Sequence, residues 1–303
     1  MGKRIFLLSF LLIFSFTTNF AKAESQQEEQ ESFYAKSNRL IFRLEHLERT
    51  IDYSGEASGQ FKEQQKSDGT AFFVQSGEEL YVVTARHVAE KGYDMQAKVR
   101  SINLKTGGIE VIILNLPRKR WVYHPRRGDT DTRYVDVAVM KINWMLDHQV
   151  MTFLYDADKG KEARGNQLFL QDPEPPQPVL VFGFPSEIGF ELTEQRPLGR
   201  LGIISMVTGS KFLKMEGKFV EERACLVDIE AFPGNSGSPV INQFNPVVDP
   251  QIRLLGLLIG TNSRMHYALI EPASRIRETL EIAKKQSTQG LIFWSLNGKD
   301  SER

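Results

Sequence analysis

The chain has 303 residues with 38 basic and 38 acidic side chains, a formal net charge of zero. Neutrality removes the electrostatic case for nucleic acid as the main partner, which asks for a basic patch or a high isoelectric point. Hydrophobic residues at 41% and charged residues at 25% belong to a globular protein rather than a disordered one, and the length admits one large all-β domain or two modest ones.

Residues 1–23, MGKRIFLLSFLLIFSFTTNFAKA, join a basic start (Lys3, Arg4) to an apolar run from Ile5 to Phe16 and a small-residue end, Ala21-Lys22-Ala23. The run is too short to span a bilayer. This is the pattern of a secretory signal peptide, and no stable membrane insertion is expected after its removal. Cleavage after Ala23 leaves 280 residues with 35 basic against 38 acidic side chains, a net charge of −3. An exported chain whose one cysteine is Cys225 holds no internal disulfide, so its stability must come from core burial. Flanked by Ala224, Leu226 and Val227, that cysteine reads as a small buried hydrophobe rather than a nucleophile.

Residues 24–60 open with ESQQEEQES, polar, acidic and without apolar periodicity. Leu40, Leu44, Leu47 and Ile51 then recur at helical spacing among charges, which predicts an amphipathic helix from about 33 to 50. From residue 69 the pattern changes to short strands between turns. TAFFVQ (70–75), ELYVVT (79–84), AKVRS (97–101), GIEVIIL (108–114), KRWVYH (119–124) and DVAVMKI (136–142) make a first closed β unit over about 65–145. The four prolines within 171–178, QDPEPPQP, mark a loop.

A second β unit follows over about 160–272. Its strands are VLVFGF (179–184), LGRLGIISMV (198–207), KFVEERACLVDIE (218–230), SPVIN (238–242), RLLGLLIG (253–260) and HYALIEP (266–272), with NQLFL (166–170) as a weak extra. Ile276 and Leu280 share one face of a closing helix, about 273–284, and residues 286–303 form a tail. A body of two similar β units in series, about 61–285, is the architectural signal.

Three local strings carry chemistry. In YVVTARHVA (81–89) an apolar strand ends and His87 follows on the turn. In RYVDVAVMKI (133–142) Asp136 opens an apolar strand, where its carboxylate needs a donor. In FPGNSGSPV (232–240) two glycines bracket Ser236. Each string alone also fits ordinary turn chemistry. Together they fit acyl transfer: Ser236 as nucleophile, His87 as general base and Asp136 as the group orienting the imidazole. The oxyanion hole falls to the N–H groups of Gly234 and Ser236, with Gly234 free of a side chain that would block close approach. His87 and Asp136 lie in the first β unit and Ser236 in the second, so the site is expected between them.

TARHV, DVAVMKI and GNSGSPV, in the order His, Asp, Ser, resemble the trypsin-like (chymotrypsin-fold) serine peptidases. The similarity is greatest to the bacterial, disulfide-free branch of high-temperature-requirement proteases and glutamyl endopeptidases, and it covers roughly 65–285. GTAFFV (69–74), VFGFP (181–185) and YALIEP (267–272) support it. The resemblance implies an all-β fold of two six-stranded antiparallel barrels, peptide-bond hydrolysis of a protein or peptide substrate, and no cofactor or metal. Asn235 stands where digestive relatives carry an acid that pairs with a freed N-terminus, so activation by that route is not expected. Nor is the appended binding domain of the high-temperature-requirement proteases.

The resemblance also places the primary specificity pocket beside the residues preceding Ser236 and the strand LLGLLIGT (254–261). Leu258 and Ile259 become candidate walls, and the absence of a histidine in that strand speaks against glutamyl specificity. Glu230 is either an acid reading Lys or Arg or a solvent-facing strand residue. Three functions remain open: an exported serine endopeptidase in the periplasm or outside the cell, a non-catalytic binding or scaffold protein on the same fold, and an esterase using the same triad.

Overall fold

The computed structural model describes residues 40–52, 60–124, 135–143, 147–150, 152–155, 168–186, 196–207, 214–215, 218–219, 225–242, 252–262, 266–286 and 294–296. The expected signal peptide and acidic lead lie outside them. Strands run in chain order as β1 (Ile41–Asp52), β2 (Gln60–Ser76), β3 (Glu79–Thr84), β4 (Met95–Asn103), β5 (Ile109–Leu116), β6 (Val122–Tyr123), β7 (Ala138–Ile142), β8 (His148–Gln149), β9 (Phe153–Tyr155) and β10 (Leu168–Leu170). They continue as β11 (Gln177–Gly183), β12 (Leu198–Val207), β13 (Lys214–Met215), β14 (Lys218–Phe219), β15 (Cys225–Asp228), β16 (Pro239–Asn242), β17 (Ile252–Asn262), β18 (Tyr267–Pro272) and β19 (Trp294–Leu296). A single helical turn spans Arg86–Ala89 and a longer helix spans Ala273–Gln286.

The fold is mostly β, as expected. In the second unit β11, β12, β15, β18, β17 and β16 pair antiparallel in a ring that closes from β16 back to β11, a six-stranded barrel. Val179, Val181, Ile204, Val227, Val240, Leu255 and Ile270 fill its interior with Cys225 among them, all at most 2% exposed. Burying each such aliphatic side chain contributes about 1.5–3 kcal/mol. The first unit is a sheet in the order β5-β4-β1-β2-β3-β7-β6, every neighbour antiparallel. Parallel pairings of β9 with β2, β9 with β10 and β10 with β17 carry hydrogen bonding on into the barrel. This is the architecture of a chymotrypsin-like double barrel with a C-terminal helix, whose Ile276 and Leu280 are fully buried.

Two strand assignments need correction. The amphipathic helix expected over 33–50 is, within the described residues, strand β1, paired with β2 from Ile41↔Phe72 to Asp52↔Gln60. The register slips by one residue between Leu44 and Glu45. The residue passed over is Asp68 of β2, so the bulge lies on β2 and β1 itself is uninterrupted. Pairing with β2 over the twelve residues of β1 overrides the helical spacing of its leucines. Conversely, KRWVYH is no full strand: Arg118–Arg120 form a 3₁₀ turn and only Val122–Tyr123 pair with β7. Within the tail, Trp294–Leu296 form β19, antiparallel to β5.

Candidate active site

Register places the first pair of site residues. β3 and β7 run antiparallel with Thr84 opposite Ala138. Two steps past Thr84 and two before Ala138 are Arg86 and Asp136, and the Arg86 N–H donates to the Asp136 carbonyl at 3.3 Å. His87 sits on the one-turn helix there. Its own N–H donates to Asp136 Oδ1 at 2.9 Å, and its ring Nδ1 lies 2.6 Å from Asp136 Oδ2. A carboxylate only accepts, so Nδ1 carries the proton and Nε2 of the neutral ring presents a lone pair. Asp136 is 7% exposed, whereas the His87 side chain is 36% exposed and reachable. The Asp136 N–H is held in turn by Glu271 Oε1 on β18, at 2.9 Å.

Ser236 lies on the turn between β15 and β16, and its carbonyl accepts the Thr70 N–H at 2.8 Å. Next to it, a Cβ on Gly237 would stand 3.1 Å from the Ala85 nitrogen, two residues before His87. The turn is thus seated against the strand end that carries the histidine, and Ser236 is half-buried. Among the described residues no hydrogen bond joins Ser236 to His87, as is common before substrate closes a site of this kind.

Both glycines in the turn are required. Gly234 has φ +90° and Gly237 φ +87°. A Cβ at Gly234 would sit 2.5 Å from the Phe184 carbonyl oxygen, and one at Gly237 would sit 2.1 Å from that of Thr70. In this turn the N–H groups of Asn235, Gly237 and Ser238 donate to Phe232, Leu258 and Asn235 carbonyls at 3.1, 2.7 and 2.9 Å. Those of Gly234 and Ser236 donate to nothing among the described residues. Two open donors beside a half-buried hydroxyl can receive a negatively charged oxygen.

The pocket candidates fare differently. Leu258 is fully buried in the barrel core, so its side chain walls no pocket; it serves the turn through its backbone, which bonds Gly237 and Ser238. Simple alternation does not decide this, because Leu254, Leu255, Leu257 and Leu258 are all buried and the register of β17 breaks between Leu254 and Gly256 and again between Leu258 and Gly260. Ile259, half-buried, is the residue the register passes over between Leu258 and Gly260. Glu230 is solvent-facing, 62% exposed at its side chain, with Arg200 at 3.9 Å. Arg200 also donates to the Glu230 carbonyl at 2.9 Å and stacks on Phe232 at 4.3 Å. Glu230 therefore already has a cation beside it, the weaker arrangement for reading a basic substrate residue. Sequence reasoning passes over Thr70 and Glu271, whose partners lie far away along the chain.

A family model for the trypsin-like peptidase domain matches residues 69–248. No curated protein matches the chain. Among solved structures, the chain is similar to the HtrA-type protease AlgW with a decapeptide (17% identity, TM-score 0.49, covering 83% of this chain and 66% of that one). It is also similar to the Rv3671c protease from M. tuberculosis in its active form (14%, TM-score 0.46, 86% of each chain) and to Deg5 (16%, TM-score 0.46, 83% and 91%).

Proposed function

The chain belongs to the trypsin-like peptidase family and is a serine endopeptidase, and from that premise we propose that it is exported and works through Ser236, His87 and Asp136. The observation that supports this assignment best is the 2.6 Å His87–Asp136 pair standing beside a turn with two open N–H donors. His87 Nε2 takes the proton of the Ser236 hydroxyl as Oγ attacks the scissile carbonyl of a protein or peptide substrate. The oxygen of that carbonyl becomes an oxyanion and is held by the Gly234 and Ser236 N–H groups. Collapse expels the amine, which receives the proton from His87, and leaves an acyl group on Ser236 that water then removes. Asp136 keeps the imidazole in the tautomer this sequence needs.

Export rests on residues 1–23 and their signal-peptide pattern. Among the described residues, no helix is long and apolar enough to cross a membrane. The test is reaction of the chain, freed of residues 1–23, with a fluorophosphonate probe. Labelling is expected in the wild type and not in Ser236→Ala, together with casein turnover that the same substitution abolishes. Well-folded wild type that neither labels nor cleaves would instead favour a binding protein on this fold, and cleavage of p-nitrophenyl esters without peptide amides an esterase.

A further inference from the structure

The Gly234 N–H points one way only if something holds it, because glycine passes between conformations at φ of either sign with little cost. The direction of that N–H belongs to the Pro233–Gly234 peptide plane, in which C=O and N–H point opposite ways. The Pro233 carbonyl accepts the Ser186 N–H at 2.9 Å, which fixes the plane from one side. The next plane, Gly234–Asn235, is fixed through its carbonyl, which accepts the Thr70 hydroxyl at 2.9 Å. The same hydroxyl accepts the Phe184 N–H at 3.0 Å, so it also anchors the short segment from which Ser186 reaches Pro233.

We infer that Thr70, a residue of the first sheet, is the positioning residue that sets the oxyanion-hole amide of the second barrel; this rests on the function proposed above. One hydroxyl has one proton and acceptor capacity besides. Here both are engaged, donating to Gly234 and accepting from Phe184. The hydroxyl is fully buried with its residue, and Thr70 is tied down further by its N–H to Ser236 at 2.8 Å and by Thr84 Oγ1 to its carbonyl at 2.7 Å. No solvent molecule is needed to complete this clamp. Thr70 touches no substrate; it acts through Gly234.

The test compares Thr70→Val, which keeps the shape and deletes the hydroxyl, with Thr70→Ser, which keeps it. Thr70→Val is expected to slow phosphonylation of Ser236 by a fluorophosphonate about tenfold or more, a fraction of what losing an oxyanion donor costs. Its kcat on a peptide amide should fall while KM moves less than about twofold, the sign of an interaction made in the transition state. Thr70→Ser should stay within about threefold of wild type in both. A crystal structure of Thr70→Val should show the Pro233–Gly234 plane turned from its wild-type orientation. Ser186→Pro offers a second route, since it deletes the N–H that holds Pro233 from an exposed position and leaves the buried hydroxyl alone. It should slow labelling likewise.

An unchanged labelling rate in Thr70→Val, or an unmoved peptide plane in that variant, overturns the inference. If Thr70→Val does not fold, Thr70→Ala, which deletes the same hydroxyl, takes its place in the labelling and in the crystal structure, and an unchanged rate or plane there overturns the inference equally. A wild type that does not label, combined with a turned plane in the variant, sinks the peptidase chemistry and leaves the clamp standing.

Discussion

The backbone N–H of Asp136 is held at 2.9 Å by a carboxylate from the other β unit, Glu271, which is 2% exposed. Asp136 sits just before β7, where among the described residues no strand neighbour receives its N–H, so Glu271 stands in for a ladder partner. Glu271→Leu leaves that donor buried and unpaired, a cost of about 1–3 kcal/mol. Glu271→Gln keeps an oxygen in the same place and should recover most of it. Urea unfolding of the two variants reads the difference. Equal destabilisation by Gln and Leu would mean that the carboxylate charge, not the hydrogen bond, is what the site uses.

The His87–Asp136 contact predicts its own substitution. Asp136→Asn preserves shape, but its amide can donate toward Nδ1 and so favour the tautomer with the proton on Nε2, where the base should be. Activity should fall by about 10⁴-fold with stability nearly unchanged, the loss that the wrong tautomer causes in a Ser-His-Asp triad. Steady-state cleavage of one peptide amide by matched preparations decides it. A loss of only a few-fold would make Asp136 a structural capping acid.

Gly234→Ala and Gly237→Ala should separate in kind from ordinary surface changes. Both positions have positive φ, and an added methyl meets backbone in each case: the Phe184 carbonyl and Ser186 nitrogen at 2.5 and 2.7 Å, or the Thr70 carbonyl at 2.1 Å. Backbone cannot step aside as a flexible side chain can. A loss of at least about 1–3 kcal/mol from strain alone is expected at either position, with activity lost before the fold. Thermal melting of each variant alongside fluorophosphonate labelling checks it, and wild-type melting with full labelling at either position would refute it.

What the sequence conceals here is distance. His87, Asp136 and Ser236 stand in strings whose local pattern, a strand end before a turn or glycines around a serine, already has chemical meaning. Thr70 bonds to Gly234 across 164 residues and to Phe184 across 114, and Glu271 reaches Asp136 across 135. No periodicity encodes those partners. The second barrel is legible because its strands alternate or run apolar without interruption, and each is bounded by turn residues. β1 is not, because its leucines recur at helical spacing and only the pairing with β2, farther along the chain, makes it a strand. Leu258 looks like a pocket wall from its neighbourhood in sequence, and only the packing of the closed barrel assigns it to the core.

Cys225 should be chemically silent in the folded protein. Burial pushes its thiol up to about 12, with the Glu271 and Asp172 charges adding to the shift. The thiolate is the reactive form, so at pH 8 almost none is present. Reaction with a thiol reagent should appear only on unfolding, on the same denaturant curve as loss of structure. Rapid modification of native protein, or loss of peptidase activity on modification without unfolding, would contradict this.

The C-terminal helix is pinned to the first sheet by Glu278, whose carboxylate meets His124 Nε2 at 2.9 Å and Arg275 at 2.8 Å. Burial tends to raise the Glu278 pKa, but the hydrogen bonds and positive charge from Arg275 and His124 outweigh it and hold the group below the usual glutamate range. A carboxylate depressed in the folded state stabilises above its unfolded pKa and loses that contribution as pH falls through the folded value. The wild type should therefore melt at a higher temperature than Glu278→Gln at pH 6–7. That gap should close progressively as pH falls from about 5 to below the folded pKa. Melting temperatures of both proteins at half-unit pH steps measure it. A gap that stays constant down to pH 3 would show that Glu278 contributes packing rather than charge.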